Sequence, residues 1–383
     1  MNTDKMIMKK KVGIITYHSA YNFGSFLQAY ATQETIKKIT GDCEIINYRT
    51  HEQKRVYGIF RWDKKHVLKS VIKNALMISK YKCYLERKEA YEKLFREKLA
   101  LSEECPSPDD VEEIWNRYSI IVSGSDQIWN KHSNELEYVS WRFMDPYLLK
   151  GYSGKKISYA SSPASMTDYE LKRIISSLQE FDALSTREAR TAEKLMQMMN
   201  VPVKTVLDPT FLLKRDEWIS RMRLERDDNE NYILFYVLGA FKELYSEKRI
   251  LRKYVKKFGV KVKVLSPISF FSGGKNIEVI SNASPVDFLN LILNARMVIT
   301  DSYHGTILSV NFGKDFYSIC RNRASDFRKT DILERLDIKD RIIHSVEEAF
   351  AISNAEIDYY KVNERLEVLR KDSMDFFIKA LDQ

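Results

Sequence analysis

The chain has 383 residues, 44% hydrophobic and 30% charged, a composition that fits a soluble globular protein large enough for two separately packed domains. No apolar run reaches the length that spans a bilayer, and Lys9 to Lys11 lead into only four apolar-type residues, Val12 to Ile15, too few for a signal peptide. A cytoplasmic location is expected. The net charge of +9 is uneven: residues 54 to 82 hold nine Lys or Arg and one acid, Asp63. Such a patch points to an anionic partner. Without a recognisable nucleic-acid module, a membrane surface fits better than nucleic acid. Cys43, Cys83, Cys105 and Cys320 are widely spaced with no CxxC pair, so neither structural zinc nor a disulfide framework is expected.

In chain order, residues 11 to 17 read as a short strand, His18 to Ser25 as a turn, and Phe26 to Ala31 as the opening of a helix. Strand, glycine-containing turn and helix leave free backbone N–H groups at a helix N-terminus, an anion site in outline. Cys43 to Tyr48 supplies the next strand of a βαβ unit. Residues 54 to 104 interrupt the alternation with a basic helical insertion. Val67, Leu68, Val71, Ile72, Ala75, Leu76 and Ile78 recur there at helical spacing among Lys64, Lys65, Lys69 and Lys73. This is either an interfacial helix on anionic lipid or a packed insertion with a solvated basic face.

Strands are expected again at 118 to 122, leading into Ser123 to Asn130, and at 157 to 162, 183 to 188 and 203 to 209, the last closed by Asp208-Pro209. Helices are expected at 171 to 181 and from 189 to Met199. The polar run Arg221 to Asn231 marks the boundary between a first domain, residues 1–220, and a second, 230–350. The pattern then restarts, with strands at 232 to 238, 260 to 265, 297 to 299 and 316 to 319 and helices at 247 to 257 and 285 to 294. A C-terminal helix within 355–383 is long enough to return to the first domain. The fold class is α/β: two Rossmann-like domains with parallel sheets facing a central cleft, plus the basic insertion and the C-terminal helix.

The strand-to-helix turn Thr300-Asp301-Ser302-Tyr303-His304-Gly305-Thr306 is the first place to look for chemistry. A histidine titrates near neutrality, and Gly305 leaves it unobstructed, although such a ring can also simply brace a loop. Arg187 is either a surface ion pair or a fork for carboxylate or phosphate. Lys314, Arg321 and Arg323 add positive charge nearby or are only solvated. Asp126 either points into the cleft or caps a helix. Trp129 is a core anchor or a sugar-stacking platform, and Trp141 shares that ambiguity.

Five ordered motifs carry a family resemblance. They are Asn22-Phe23-Gly24-Ser25 with Leu27 to Ala31, Gly124-Ser125-Asp126-Gln127-Ile128-Trp129-Asn130, Ser185-Thr186-Arg187-Glu188, Asp208-Pro209-Thr210 and Thr300 to Thr306. In this order the set resembles the polysaccharide pyruvyl transferase family, from about residue 12 to 320. The resemblance implies a fold like the GT-B glycosyltransferases, with an acceptor-side first domain and a donor-side second domain. It implies phosphoenolpyruvate as co-substrate, no cofactor or metal, and a sugar acceptor on a lipid-linked glycan of a capsule or exopolysaccharide precursor. The enzyme would then work in the cytoplasm, peripheral on the inner membrane face through residues 54 to 82. By this likeness His304 is the general acid, or a hydrogen bond to the phosphate, and Asp126 the base for the acceptor hydroxyl. Arg187, Ser302, Gly305, Thr306, Lys314 and Arg321 belong to the donor site, and Asn22, Gly24, Ser25, Ser125, Gln127 and Trp129 to the acceptor side or cleft. Many members place Arg-Leu before the His-Gly pair, where this chain has Ser302-Tyr303. Either Lys314, Arg321 or Arg323 then supplies the missing cation, or the donor differs. Two other readings remain open: a nucleotide-sugar glycosyltransferase of the same fold, and a non-catalytic reader of acidic glycans.

Overall fold

A parallel sheet covered on both faces requires short central strands that are largely apolar and buried, as Val12–Ile15, Ile120–Ser123, Tyr232–Tyr236 and Met297–Thr300 are. The computed structural model, which describes residues 11–60, 71, 74–75, 77–238, 248–266, 273–321, 326–352 and 356–382, contains two such sheets. The first consists of β1 (Val12–Ile15), β2 (Glu44–Tyr48), β3 (Leu101–Cys105), β4 (Ile120–Ser123) and β5 (Lys155–Ser158). They are parallel, in the order β3-β2-β1-β4-β5. A short parallel pair, β6 (Ser185–Thr186) and β7 (Lys204–Thr205), continues beside β5 through a bridge from Ile157 to Ala183. The second sheet holds β8 (Tyr232–Tyr236), β9 (Lys261–Leu265), β10 (Ile277–Ile280), β11 (Met297–Thr300), β12 (Asp315–Ile319) and β13 (Ile342–Ile343). It is also parallel, in the order β10-β9-β8-β11-β12-β13. Each sheet reverses its strand order beside its first strand, between β1 and β4 and between β8 and β11. The carboxyl ends at such a reversal are where open α/β folds bind ligands.

The helices follow from local signals. α1 (Phe23–Thr40) is capped by Asn22 and ends on Gly41 in the left-handed conformation, φ 86°. It has buried residues on every side because it lies between the two sheets, with Phe23 stacked on Phe288 at 4.6 Å. α2 (Tyr81–Lys98) runs polar except for a stripe at Tyr91, Leu94 and Phe95. α3 (Ala189–Met199) follows β6, and α4 (Pro285–Asn294) begins with a capping box at Ser284 and Asp287. All nine residues of α5 (Tyr303–Asn311) are buried. α6 (Phe327–Arg335) covers its edge, and α7 (Tyr359–Asp382) returns to the first sheet. There Phe377 stacks on Tyr159 at 4.2 Å, Ser373 Oγ accepts from Leu207 N at 2.9 Å, and Arg370 Nε donates to Phe211 O at 2.7 Å. One apolar cluster runs from Val12 and Phe26 through Trp218 to Val298 and Phe377, so the two sheets share a core.

Three expectations need correction. The insertion ends before Leu101, because Leu101–Cys105 pairs with β2 as an edge strand whose Glu103 and Glu104 face outward, a charged edge without an apolar run to announce it. The stretch from 171 to 181 forms no continuous helix but two single turns, Asp168–Leu171 and Ile175–Leu178. The edge strands β10 and β13 were not expected, because runs of four and two residues are too short to show a period of their own. Of the basic stretch, Lys64, Lys65, Lys69, Lys73, Val67, Leu68, Ile72 and Leu76 lie outside the described residues, as does Arg323. Among the described residues no helix is long and apolar enough to cross a membrane, and no group of three His, Cys, Asp or Glu could hold a metal.

Candidate active site

The two strand-order reversals face each other through a pair of helix N-termini. After β1, Asn22 Oδ1 accepts from Gly24 N at 2.9 Å and starts α1. After β11, Ser302 Oγ accepts from Gly305 N at 3.3 Å and starts α5. Neither helix has an acid in its first turn, so the positive ends of both dipoles are left for an anion. The two ends touch. A Cβ on Gly24 would lie 2.0 Å from His304 Nδ1, so only glycine lets the imidazole rest against α1. A Cβ on Gly305 would lie 2.5 Å from Thr300 Oγ1, which explains how closely α5 leaves β11. Thr306 Oγ1 bonds Ser302 O at 3.0 Å and Ser318 Oγ at 2.8 Å, tying the turn to β12. Ser302, Gly305 and Thr306 thus build the frame that aims His304.

Arg187, at the end of β6, is the hub beneath this frame. Its Nε donates to Glu188 Oε1 at 3.0 Å, Nη1 to Asp208 Oδ2 at 3.2 Å and Nη2 to Asp126 Oδ1 at 3.4 Å. The guanidinium also lies 4.6 Å over the Tyr303 ring, and its side chain is 0% exposed. Burial alone would lower its pKa, but Glu188, Tyr303, Asp126 and Asp208 outweigh burial and hold it charged. The sequence leaves Arg187 as either a surface ion pair or a fork for an anion, the resemblance implying the donor; the pairing with Glu188 is present, but buried and not at the surface. In the structure the fork is turned inward onto three carboxylates, so Arg187 organises the site from behind.

Asp126 sits at φ 75° after Gly124, and Ser25 Oγ donates to its Oδ2 at 3.2 Å. Burial would raise its pKa, but Arg187, then His304 and Arg328, hold it below the usual carboxylate range. A carboxylate stabilised in this way is a weaker base than a free one, and its Oδ1 serves here as one of the three acceptors around Arg187. His304 Nε2 is buried without a hydrogen-bond partner, 3.7 Å from Asp208 Oδ2. Burial lowers its pKa more than Asp208 and Asp126 raise it. A buried ring nitrogen without a partner, among three carboxylates and two guanidinium groups, is the most conspicuous polar feature of the cluster. The second guanidinium is Arg328 on α6, 5.6 Å from the centroid of the Tyr303 ring and close enough to influence Asp126 and His304.

Other expected residues fall elsewhere. Trp129 is 0% exposed, donates from Nε1 to Tyr147 O at 3.3 Å and meets Phe181 edge-on, so it is a core anchor and not a stacking platform. Ser125 is equally buried, bonding Ala160 O at 3.0 Å, and Gln127 Oε1 accepts from Asn130 Nδ2 at 3.0 Å. Both shape the loop that carries Asp126. Lys314 lies past the C-terminus of α5, at the opposite edge of the sheet, where its ammonium donates to Leu293 O at 2.9 Å and burial brings its pKa down to about 8. Arg321 is on the correct edge, at the end of β12, but pairs with Asp301 at 2.8 Å and stands on the rim. Asp208, Glu188 and Tyr303 lay inside the motifs without an assigned role. Arg328 had no sequence signal at all.

The sequence profile of the polysaccharide pyruvyl transferase family matches residues 22–320. No curated protein sequence matched the chain. Among solved structures, the chain is similar to the UDP-GlcNAc 2-epimerase of Neisseria meningitidis bound to UDP-GlcNAc. That likeness has 10% identity and a TM-score of 0.53 over 97% of this chain and 99% of that one. It is similar also to Arabidopsis thaliana UGT89C1 complexed with quercetin, at 10% identity and a TM-score of 0.51 over 96% and 94%. A third likeness is to Staphylococcus aureus MnaA with UDP, at 9% identity and a TM-score of 0.50 over 94% and 88%. These likenesses give the chain the GT-B fold.

Proposed function

The chain belongs to the polysaccharide pyruvyl transferase family, and on that premise we propose that it moves a pyruvyl group from phosphoenolpyruvate onto two sugar hydroxyls of a cell-surface polysaccharide precursor, as a ketal. The observation that carries this reading is the unpartnered, buried Nε2 of His304 where two helix N-termini meet. In the first step a hydroxyl adds across the C2–C3 double bond of the enolpyruvyl group. Its oxygen bonds to C2 and gives up its proton to solvent, the double bond opens, and C3 takes a proton from His304. In the second, another hydroxyl bonds to C2, phosphate departs, and the hydroxyl proton leaves with it.

His304 suits the proton transfer to C3. Burial favours its neutral ring, whereas a phosphate dianion beside it favours the imidazolium, so donor binding itself loads the acid. The phosphate charge is met by the N-termini of α1 and α5 and by Arg328, with Arg187 adding its field from behind. Tyr303 has Arg187 at 4.6 Å and Arg328 at 5.6 Å from its ring, which supports Arg328 as the cation that stands in for the arginine missing before His304. A lipid-linked acceptor agrees with the basic composition of residues 54 to 82, which would touch an anionic membrane face.

The test is phosphate release from phosphoenolpyruvate with a panel of simple and lipid-linked glycosides. Acceptor-dependent release that falls by about 10²–10⁴ in His304→Ala is expected. Stabilisation by UDP-sugars but not by phosphoenolpyruvate would replace the reading with a nucleotide-sugar glycosyltransferase. Glycan binding without turnover on any acceptor would leave a non-catalytic reader.

A further inference from the structure

A second concavity opens at the carboxyl edge of the first sheet, beside the cluster around His304. Its walls are the loop after β1, the loop after β2 and one face of α2, where Tyr84, Lys88 and Glu92 recur at intervals of four and so share a side of the helix. It encloses about 320 Å³, within the range of about 300–1,000 Å³ that small-molecule sites occupy. Tyr21 connects it to the catalytic region, since the next residue, Asn22, caps the helix whose Gly24 touches His304.

The lining is aromatic and cationic together. Tyr21, Tyr57 and Tyr84 contribute rings, and each hydroxyl is already tied: Tyr21 to Glu92 at 2.7 Å, Tyr57 to Glu135, and Tyr84 to Tyr57 O at 3.0 Å. The Tyr21 and Tyr57 rings meet at 68°, 6.2 Å apart. Rings fixed by their own hydrogen bonds lose little freedom when a ligand stacks on them. Of the three cations Arg49, Lys54 and Lys88, two are matched by carboxylates, Glu92 in the lining and Glu104 beside it, so the surplus is one positive charge, that of Lys88. Arg49 is consumed by Glu92, and Lys54 bonds Glu104 at 2.5 Å, while Lys88 is exposed. Ser19 and Gln53 add neutral hydrogen-bonding groups. Flat rings, amide and hydroxyl groups and excess positive charge are the chemistry that recognises a sugar carrying an anion.

We propose that this concavity is a saccharide subsite for a sugar unit bearing a phosphate or carboxylate. This deepens the transfer reading, and rests on it for the claim that the bound sugar belongs to the acceptor. Tyr21 then joins the two sites, holding one sugar unit in the concavity while its hydroxyls, or those of the neighbouring unit, reach the donor at His304.

Calorimetric titration of the full chain tests this without turnover. The probes are glucose 1-phosphate, methyl β-glucuronide, neutral methyl β-glucoside and inorganic phosphate. Saturable binding of at least one anionic sugar is expected, at least tenfold tighter than the neutral glucoside and than inorganic phosphate. Lys88→Glu, an exposed change that disturbs no packing, is expected to weaken it at least fivefold, as is Tyr84→Ala, with the unfolding midpoint of Lys88→Glu unchanged. No saturable binding, equal affinity for the glucoside or for inorganic phosphate, or unchanged affinity in Lys88→Glu would overturn the proposal. Phosphate release from phosphoenolpyruvate is measured separately. Its absence alongside intact sugar binding sinks the transfer reading and leaves the subsite, and turnover without probe binding does the reverse.

Discussion

Replacing Gly24 with alanine separates the assembly of the site from the stability of the fold. The new Cβ would lie 2.0 Å from His304 Nδ1, 2.4 Å from Cγ and 2.5 Å from Cε1. Comfortable contact between such atoms is about 3.5 Å, so the ring or the start of α1 must move by about 1.5 Å. Three ring atoms are met at once, so a simple ring flip gives no relief. Overpacking of this kind costs about 1–3 kcal/mol, while alanine in place of glycine within a helix returns about 1 kcal/mol. The net loss is about 0–2 kcal/mol, small enough to leave the protein folded. A displacement above 1 Å at a reacting group can nevertheless slow turnover by about 10². Urea unfolding alongside acceptor-dependent phosphate release should therefore show a modest shift in midpoint and a collapse in kcat. Turnover within twofold of the parent, or a loss no larger than the loss of folded protein, would refute the opposition of Gly24 and His304.

Arg187→Lys removes the fork that satisfies three buried carboxylates at once, and an ammonium cannot reach all of them. A loss of about 3–5 kcal/mol in urea unfolding is expected, and a loss below 1 kcal/mol would remove Arg187 as the hub. His304 has a folded pKa below its ordinary 6.5 because burial disfavours the charged ring. The unfolded chain therefore takes up that proton first, and native stability falls as pH drops below about 6.5. His304→Gln lacks this term, so its stability should gain on the parent by up to about 1.4 kcal/mol per pH unit across that window, measured by urea titration at pH 7, 6 and 5. Asp126, depressed below 3.8, acts further down the scale: its contribution is present above that value and lost only as pH falls through the folded pKa. A constant difference between parent and variant would show that the ring is not buried. Arg328→Gln should raise the KM for phosphoenolpyruvate by roughly tenfold or more, the equivalent of losing one charged hydrogen bond of about 1.5–3 kcal/mol. A change below twofold would take Arg328 out of the donor's anion site.

Much of the architecture was legible because its causes are local. Val12 to Ile15 and Tyr232 to Tyr236 are strands whose apolar content alone demands burial, and Ser284-Pro285 and Ser302 start helices through bonds spanning three residues. The edge strands Leu101–Cys105 and Ile342–Ile343 were missed because their identity comes from pairing with a neighbour and not from their own composition. The motif turns, and hence His304, Asp126 and Arg187 as members of one region, could likewise be read from residue type and order. What those residues do to one another could not. Arg187 meets Asp208 and Asp126 across separations of 21 and 61 residues. Trp129 became core because Tyr147 and Phe181 close around it. Arg328 entered the site from a helix with no motif. Which turns carry reactive groups is written in the order of the residues, since turn geometry and titration chemistry belong to neighbours along the chain. That Arg187 faces inward and that His304 Nε2 has no hydrogen-bond partner follow from the folded chain alone, because charge neutralisation and desolvation depend on what folding brings within a few ångströms.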